Sequence, residues 1–266
     1  MKKSKTIIDN LVFHHHTSLG DHFICNGIAH NYTKKCETLH IPCSEGNYET
    51  VNSLYSDFDN IIVHPMKFQS PISKHEVDAL AAKEGWKVTR IGFENVRYSR
   101  FHRVNSPGIE SIPVNFDRQF YEEAGILFKE RYDSFHLPEN IPDTDKVYEK
   151  LVGDNERYIV VHKNSSSSSD YPIELWSWRT GKFNKNIKVV EIQMGQTTNM
   201  LAYKKLIENA EEVHCVPSAF FCLVDSISKN IKPSLYYHDI RVNNILQINC
   251  AANNNKWTSI DYSFKL

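Results

Sequence analysis

The sequence predicts an α/β protein built from two Rossmann-like lobes, residues 1–136 and 143–266. Three observations lead there. Short apolar runs alternate with helical segments from Ile7 to Phe93, the pattern of strands and helices wound into a parallel sheet. The same alternation restarts at Arg157 and continues to His238. Between the two lies Leu137-Pro138-Glu139-Asn140-Ile141-Pro142-Asp143, a run of loop formers suited to a domain boundary.

Each element follows from local pattern. Ile7, Ile8 and Leu11-Val12-Phe13 form a first buried strand that stops at His14-His15-His16-Thr17-Ser18-Leu19-Gly20. A helix is expected from Asp21 to Lys34, with Ser18 or Asp21 as its cap. Lys35 to Pro42 reads as a second strand, and Cys43 to Asn47 as a polar turn. Tyr48 to Tyr55 reads as a short helix, and Asn60 to Pro65 as a third strand ended by its proline. Ser73-Lys74-His75-Glu76 has the form of a capping box opening a helix to Glu84, and Trp86 to Phe93 makes a fourth strand. Asn115 to Gly125 is aromatic, charged and helical in pattern, and Thr144 to Val152 is a further helix. In the second half Arg157 to His162, Lys188 to Ile192, Glu212 to Val216 and Ser234 to His238 read as strands. Asn199 to Asn209 and Phe220 to Ser228 read as helices. The tail from Asn243 to Leu266 carries no clear signal.

Composition narrows the function. The chain has 266 residues, 41% of them hydrophobic, enough for a sizeable core rather than a disordered chain. A net charge of -1, with no Lys/Arg run beyond Met1 to Lys5, argues against a nucleic-acid-binding protein. No apolar stretch approaches the ~20 residues of a membrane span, and no signal peptide is recognisable. The six cysteines are scattered without a CxxC pair, which suits reduced, buried thiols in a cytoplasmic protein.

Two places carry candidate chemistry. In open α/β sheets ligands gather at the carboxyl ends of strands, so Phe13 to Asn26 is the expected floor of an active site. His14, His15 and His16 could donate to an acceptor or take a proton, since imidazole titrates near neutrality; three in a row cannot all face one way. The second place is Pro217-Ser218-Ala219-Phe220. A strand, a serine and then a helix put unpaired amides and the positive end of a helix dipole beside a hydroxyl, a combination that binds phosphate. Ser218 would serve equally as a plain helix cap. His162 and Lys163, closing the first strand of the second half, could grip a phosphate or nucleotide; a lysine there is also commonly just solvated. The serine run 165–169 follows directly and would suit a ligand-facing loop or a flexible linker. Gln193 and Thr197 could read a base or ribose. Arg118 could bind a phosphate or pair with a carboxylate, and Arg131 and Arg179 are weaker candidates of the same kind.

Leu19-Gly20-Asp21-His22-Phe23 resembles the Gly-Asp loop that opens heptosyltransferase-like enzymes of the GT-B glycosyltransferase superfamily. Gly195-Gln196-Thr197-Thr198, followed by Asn209 to Ser218, resembles their later segment, in which a Gly-x-Thr/Ser turn, a helix and a strand lead to a serine near the nucleotide-sugar diphosphate. The usual Asp-Ser-Gly is replaced here by Pro217-Ser218-Ala219. The resemblance implies a compact GT-B fold with a cleft between its lobes, and inverting sugar transfer from a nucleotide-sugar donor to a hydroxyl of a glycan or glycoconjugate. It implies side chains and a helix terminus in place of a metal, and no cofactor beyond the donor itself. Asp21 becomes the candidate base, with His15 and His16 beside it. His162, Lys163, Gln193, Thr197, Pro217, Ser218, Ala219 and Arg118 become the donor-binding candidates. Two other readings stand beside it. One is a metal-dependent hydrolase using His14, His16, Asp21 and His22, residue types that suit zinc or manganese. The other is a nucleotide- or carbohydrate-binding module without turnover.

Overall fold

A computed structural model describes residues 7–69, 74–93, 116–153, 157–164, 173, 187–193, 195–239 and 256–261. The serine run 165–169, Ser73, Arg179 and Cys250 lie outside the described residues. Two compact units part between Pro138 and Glu139.

Unit 1 is a parallel sheet of order β3-β2-β1-β4, made of β1 (Ile8–His14), β2 (Cys36–Ser44), β3 (Ile61–Met66) and β4 (Lys87–Arg90). Leu11, Val12 and Phe13 are buried on both faces of β1, which is why the strand reads as an unbroken apolar run. The helices are α1 (Leu19–Tyr32), α2 (Tyr48–Leu54), α3 (His75–Glu84), α4 (Phe116–Glu123) and the single turn α5 (Glu130–Asp133). Phe23, Ile24 and Ile28 of α1 are fully buried, each stabilising by about 1.5–3 kcal/mol over its exposed form.

Helix α1 starts two residues earlier than the sequence suggests, so Asp21 stands in its first turn rather than in a loop. Gly20 hides this start, because glycine reads as a breaker although the first turn tolerates it. Ser18 occupies the cap position without bonding an amide through its side chain. Proline 65 does not end β3, which runs to Met66; it is an edge strand with one side free of ladder hydrogen bonds. Helix α3 begins at His75 with Lys74 at the cap, and Glu76 accepts from the Gln69 amide (3.3 Å); Ser73 of the expected capping box lies outside the described residues. Strand β4 is only four residues long.

A buried ion pair joins α4 to α5. The Arg131 guanidinium bonds the Asp117 carboxylate, and both side chains are wholly inaccessible. The Tyr121 hydroxyl donates to the Ile24 carbonyl of α1 (2.8 Å). This packing has no room for a side chain at Gly27, where a Cβ would collide with the Glu130 carbonyl and lie 2.9 Å from the Tyr121 oxygen. Gly27→Ala is therefore expected to destabilise by about 1–3 kcal/mol, against the ~1 kcal/mol that alanine normally gains in a helix. Urea unfolding checks it; a variant as stable as the parent would show that α1 and α5 are not in this contact.

Unit 2 is a parallel sheet of order β6-β5-β7-β8-β9, made of β5 (Tyr158–His162), β6 (Lys188–Glu191), β7 (Glu212–Cys215), β8 (Ser234–Asp239) and β9 (Trp257–Asp261). Its helices are α6 (Thr144–Val152), α7 (Lys204–Asn209) and α8 (Ala219–Ile227). The helix expected from Asn199 divides into a 3-10 turn, Met200–Tyr203, and α7, with the Asn199 side chain accepting from the Leu201 amide (3.0 Å). Strand β9 has no counterpart in the sequence reading. Trp257 anchors it by donating to the buried Asp225 carboxylate (2.9 Å), and Lys256 bonds the Ser228, Lys229 and Ile231 carbonyls past the end of α8. No disulfide joins the five described cysteines to one another, and all five are buried.

Candidate functional site

Strand order decides where a ligand can sit in each unit. In unit 1 the chain turns from the β1–β2–β3 side to β4, so the topological switch point lies between β1 and β4. In unit 2 it lies between β5 and β7. Connections leave such a pair in opposite directions and open a crevice at the carboxyl ends of the strands.

At the β1–β4 switch point the three histidines part company. His14 accepts from the Arg90 guanidinium at Nδ1 (3.1 Å) and packs on Phe93. His15 turns the other way, donates to the His16 carbonyl and meets His22 edge-on with ring centroids 4.5 Å apart. His16 donates from Nε2 to the Gly92 carbonyl (3.0 Å) and packs between Phe93 and Phe120. The Gly92 amide in turn donates to Glu123 (2.5 Å). Gly92 has φ +81°, and a Cβ there would lie 2.6 Å from the Phe120 ring, so only glycine fits. Burial holds the His14 and His15 pKa values down to about 3, and the His16 value below the ordinary range. All three are neutral at physiological pH.

Asp21 is buried in the first turn of α1, where the helix dipole favours negative charge. Its carboxyl makes no hydrogen bond or ion pair among the described residues. Desolvation therefore goes uncompensated and raises its pKa to about 8. The histidines and Asp21 thus share one strand end and helix start, with no hydrogen bond from any of the three to Asp21 among the described residues.

In unit 2 the β5–β7 switch point brings together two residues singled out in the sequence. The Ser218 hydroxyl and His162 Nδ1 lie 3.2 Å apart, and the His162 ring stacks on Phe220. Ser218 also donates to the Val216 carbonyl (3.0 Å) and accepts from the Phe221 amide (3.2 Å). With its proton engaged by Val216, the serine accepts from His162. It is the cap of α8, and the amides of Ala219 and Phe220 remain the ones this helix cannot satisfy internally. Burial lowers the His162 pKa to about 4. Pro217 is buried behind this turn and Ala219 is half-buried at its rim.

Other candidates are placed differently. Lys163 forms an ion pair with Glu191 of β6 (3.0 Å), so its charge is already compensated. The Gln193 side chain is exposed beside Glu191, and the Thr197 hydroxyl is used within its own loop, bonding Asn199. Arg118 belongs to unit 1, where its guanidinium lies over the Phe128 ring at 4.6 Å. Arg131 is consumed by its buried pair with Asp117. Sequence reading missed Gly92, Arg90 and Glu123, whose signal was the carboxyl end of β4 beside β1. It also missed Asn164, whose buried Oδ1 has no partner at the end of β5. Among the described residues no group of three or more His, Cys, Asp or Glu side chains is placed to hold a metal ion.

The sequence matches no protein-family model and no curated protein. Solved structures do match. A glycosyl transferase family 9 protein from Veillonella parvula superposes with a TM-score of 0.57 at 10% identity, covering 98% of this chain and 88% of that one. The fold is shared. The iron-containing dodecameric glycosyltransferase TibC from enterotoxigenic E. coli gives 0.49 at 13% identity, with 98% of this chain and 64% of that one covered.

Proposed function

We propose that the chain is a glycosyltransferase of GT-B type, moving a sugar from a nucleotide-sugar to a hydroxyl of a glycan or glycoconjugate. The observation that carries this reading is the capped start of α8 at the β5–β7 switch point. There Ser218 bonds His162 and caps the helix through the Phe221 amide, and in this reading the Ala219 and Phe220 amides receive a diphosphate. Fold likeness to a glycosyl transferase supports it.

The proposed chemistry is inverting and needs no metal. Asp21 takes the proton of the acceptor hydroxyl, the oxygen attacks the anomeric carbon, and the bond to the diphosphate breaks with its electron pair leaving on phosphate. The growing charge is met by the first-turn amides of α8 and its dipole, an arrangement that serves such leaving groups without reorganisation. Ser218 acts as a positioning residue, since its own proton is committed to Val216. Lys163, paired with Glu191, contributes little charge. The acceptor side and the base are assigned to unit 1 and the donor side to unit 2. Buried cysteines without a disulfide among the described residues support a reducing, cytoplasmic setting, and no helix among the described residues is long and apolar enough to cross a membrane.

One observation favours the binding-module reading: with a pKa of about 8, Asp21 keeps its proton at neutral pH. Incubation with a panel of nucleotide-sugars in EDTA separates the two. Slow release of free sugar and nucleoside diphosphate, faster at pH 8.5 than at pH 7, supports transfer. Tight binding with no release from any donor at either pH leaves a binding module.

A further inference from the structure

The two amides assigned to the diphosphate belong to Ala219 and Phe220, so their direction depends on how the first turn of α8 is held. The Phe220 side chain is wholly buried. Its ring stacks on His162, with centroids 4.9 Å apart and planes 17° from parallel. Tyr203 meets the same ring edge-on at 5.9 Å. Stacked and edge-to-face contacts are directional, so they orient a ring as well as bury it.

Tyr203 closes the 3-10 turn Met200–Tyr203 and is itself buried. Burial raises its phenol pKa to about 12, so the hydroxyl keeps its proton. It donates that proton to Gln196 Oε1 (3.0 Å). Gln196 is anchored at the carboxyl end of β6. Its Oε1 also accepts from the Gln193 amide (3.1 Å), and its Nε2 donates to the Glu191 carbonyl (3.1 Å). Contacts therefore run from the end of β6 through Gln196, Tyr203 and Phe220 to His162, the partner of Ser218. Packing Phe220 needs only the Tyr203 ring. The hydroxyl ties that ring to the strand end, which a phenylalanine could not do.

We propose that Tyr203 and Gln196 are positioning residues of the donor site, holding Phe220 against His162 so that the α8 amides are aimed before a diphosphate arrives. Donors fixed in advance need no reorganisation when the charge comes. Both residues act through Phe220 and His162 rather than on the ligand. The inference rests on the reading of the α8 start as the diphosphate site. Tyr203→Phe is the mildest cut in the chain. It keeps the ring, and Gln196 Oε1 retains the Gln193 amide, so this oxygen is not left orphaned.

Calorimetric titration of ADP, UDP, GDP and CDP into the intact protein tests this, comparing wild type, Tyr203→Phe, Ser218→Ala and the double variant. Tyr203→Phe is expected to weaken the tightest of these ligands by about three- to tenfold. Cap and clamp act on the same two amides, so the double variant should lose less than the product of the two single losses. A purely structural role for the hydroxyl would lower the urea midpoint and leave affinity, measured on folded protein, unchanged. Unchanged affinity in Tyr203→Phe beside a weakened Ser218→Ala overturns this inference and leaves the donor site standing. Single losses that simply multiply overturn it as well. Wild-type protein that binds none of the four removes the donor site and the inference together. Should Tyr203→Phe not fold, Gln196→Ala cuts the same bond from the other side and is held to the same loss and the same non-additivity with Ser218→Ala.

Discussion

Asp21→Asn is expected to lower sugar transfer by about 10²–10⁴-fold, the usual contribution of a positioned base, while nucleoside diphosphate binding stays within about twofold. The wild-type rate should climb with pH toward an apparent pKa near 8, because burial keeps the carboxyl protonated below that value. The same shift appears in stability. From about pH 4 to pH 8 the folded chain holds a proton that the unfolded chain has lost, so this group's contribution falls as pH rises through that window and is flat above it. Asparagine has no such penalty. The variant should therefore be more stable than the parent at pH 8.5, by on the order of 5 kcal/mol at most, with the gap closing near pH 4. Urea unfolding at the two pH values reads this directly. Equal turnover in the variant would remove Asp21 from the base role, and an absent pH-dependent gap would mean that the carboxyl is solvated.

The second large effect has the opposite sign. His14, His15 and His238 are held at pKa values of about 3, and His30 and His162 at about 4, with desolvation the largest cause in each case. All five are buried. Their stabilising effect is complete above the unfolded value of about 6.5 and is lost as pH falls toward 3–4. At pH 5 each costs on the order of 2 kcal/mol, because the unfolded chain takes up a proton that the folded chain refuses. Three of the groups lie in unit 1 and two in unit 2. The cost therefore reaches about 6 and about 4 kcal/mol respectively, comparable with a domain stability of about 5–15 kcal/mol. In unit 1 it outweighs the stabilisation that Asp21 gains on acidification. Cooperative unfolding is expected near pH 5, followed by circular dichroism and tryptophan fluorescence. A native spectrum maintained at pH 4 would mean that these imidazoles are not sealed from solvent.

The two histidine pairs belong to the same picture. His40 Nε2 faces Asn10 Oδ1 (3.0 Å) and its Nδ1 faces His64 Nε2 (2.9 Å). His214 Nε2 faces Glu212 (3.0 Å) and its Nδ1 faces His238 Nε2 (2.9 Å). In each, an oxygen acceptor makes the first ring donate from Nε2, so its Nδ1 must accept from the second ring. Such a chain needs neutral imidazoles, as their depressed pKa values require. Each pair links neighbouring parallel strands, β2 with β3 and β7 with β8.

Much of the architecture was legible because it rests on local pattern. The run Tyr158 to Val161 is buried on both faces and could be little else than a central strand, and Thr144 to Val152 repeats its apolar positions at helical spacing. Strand β9 was not legible. Thr258, Ser259 and Asp261 give it a polar composition, and what holds it is Asp225, 32 residues earlier. The site divides in the same way. Ser218 announced itself through strand, serine and helix, all local. Its partner His162 lies 56 residues away and is brought there only by the pairing of β5 with β7. Lys163 looked like a phosphate ligand because Glu191 becomes its neighbour only once β6 is set in register beside β5. The environment of Asp21 was equally hidden, since sequence shows a carboxyl but not the burial that shifts it.

Calorimetric titration of a nucleoside diphosphate into metal-free protein, wild type against Ser218→Ala, tests the donor site most directly. Losing the α8 cap should weaken binding about fivefold, equivalent to the ~1 kcal/mol a cap is worth, with stability reduced by a similar amount. Lys163→Ala should change affinity by less than twofold, because Glu191 already holds its charge. Wild-type protein that binds no diphosphate, or a Ser218→Ala protein that binds it unchanged, would contradict the assignment of the donor to the start of α8.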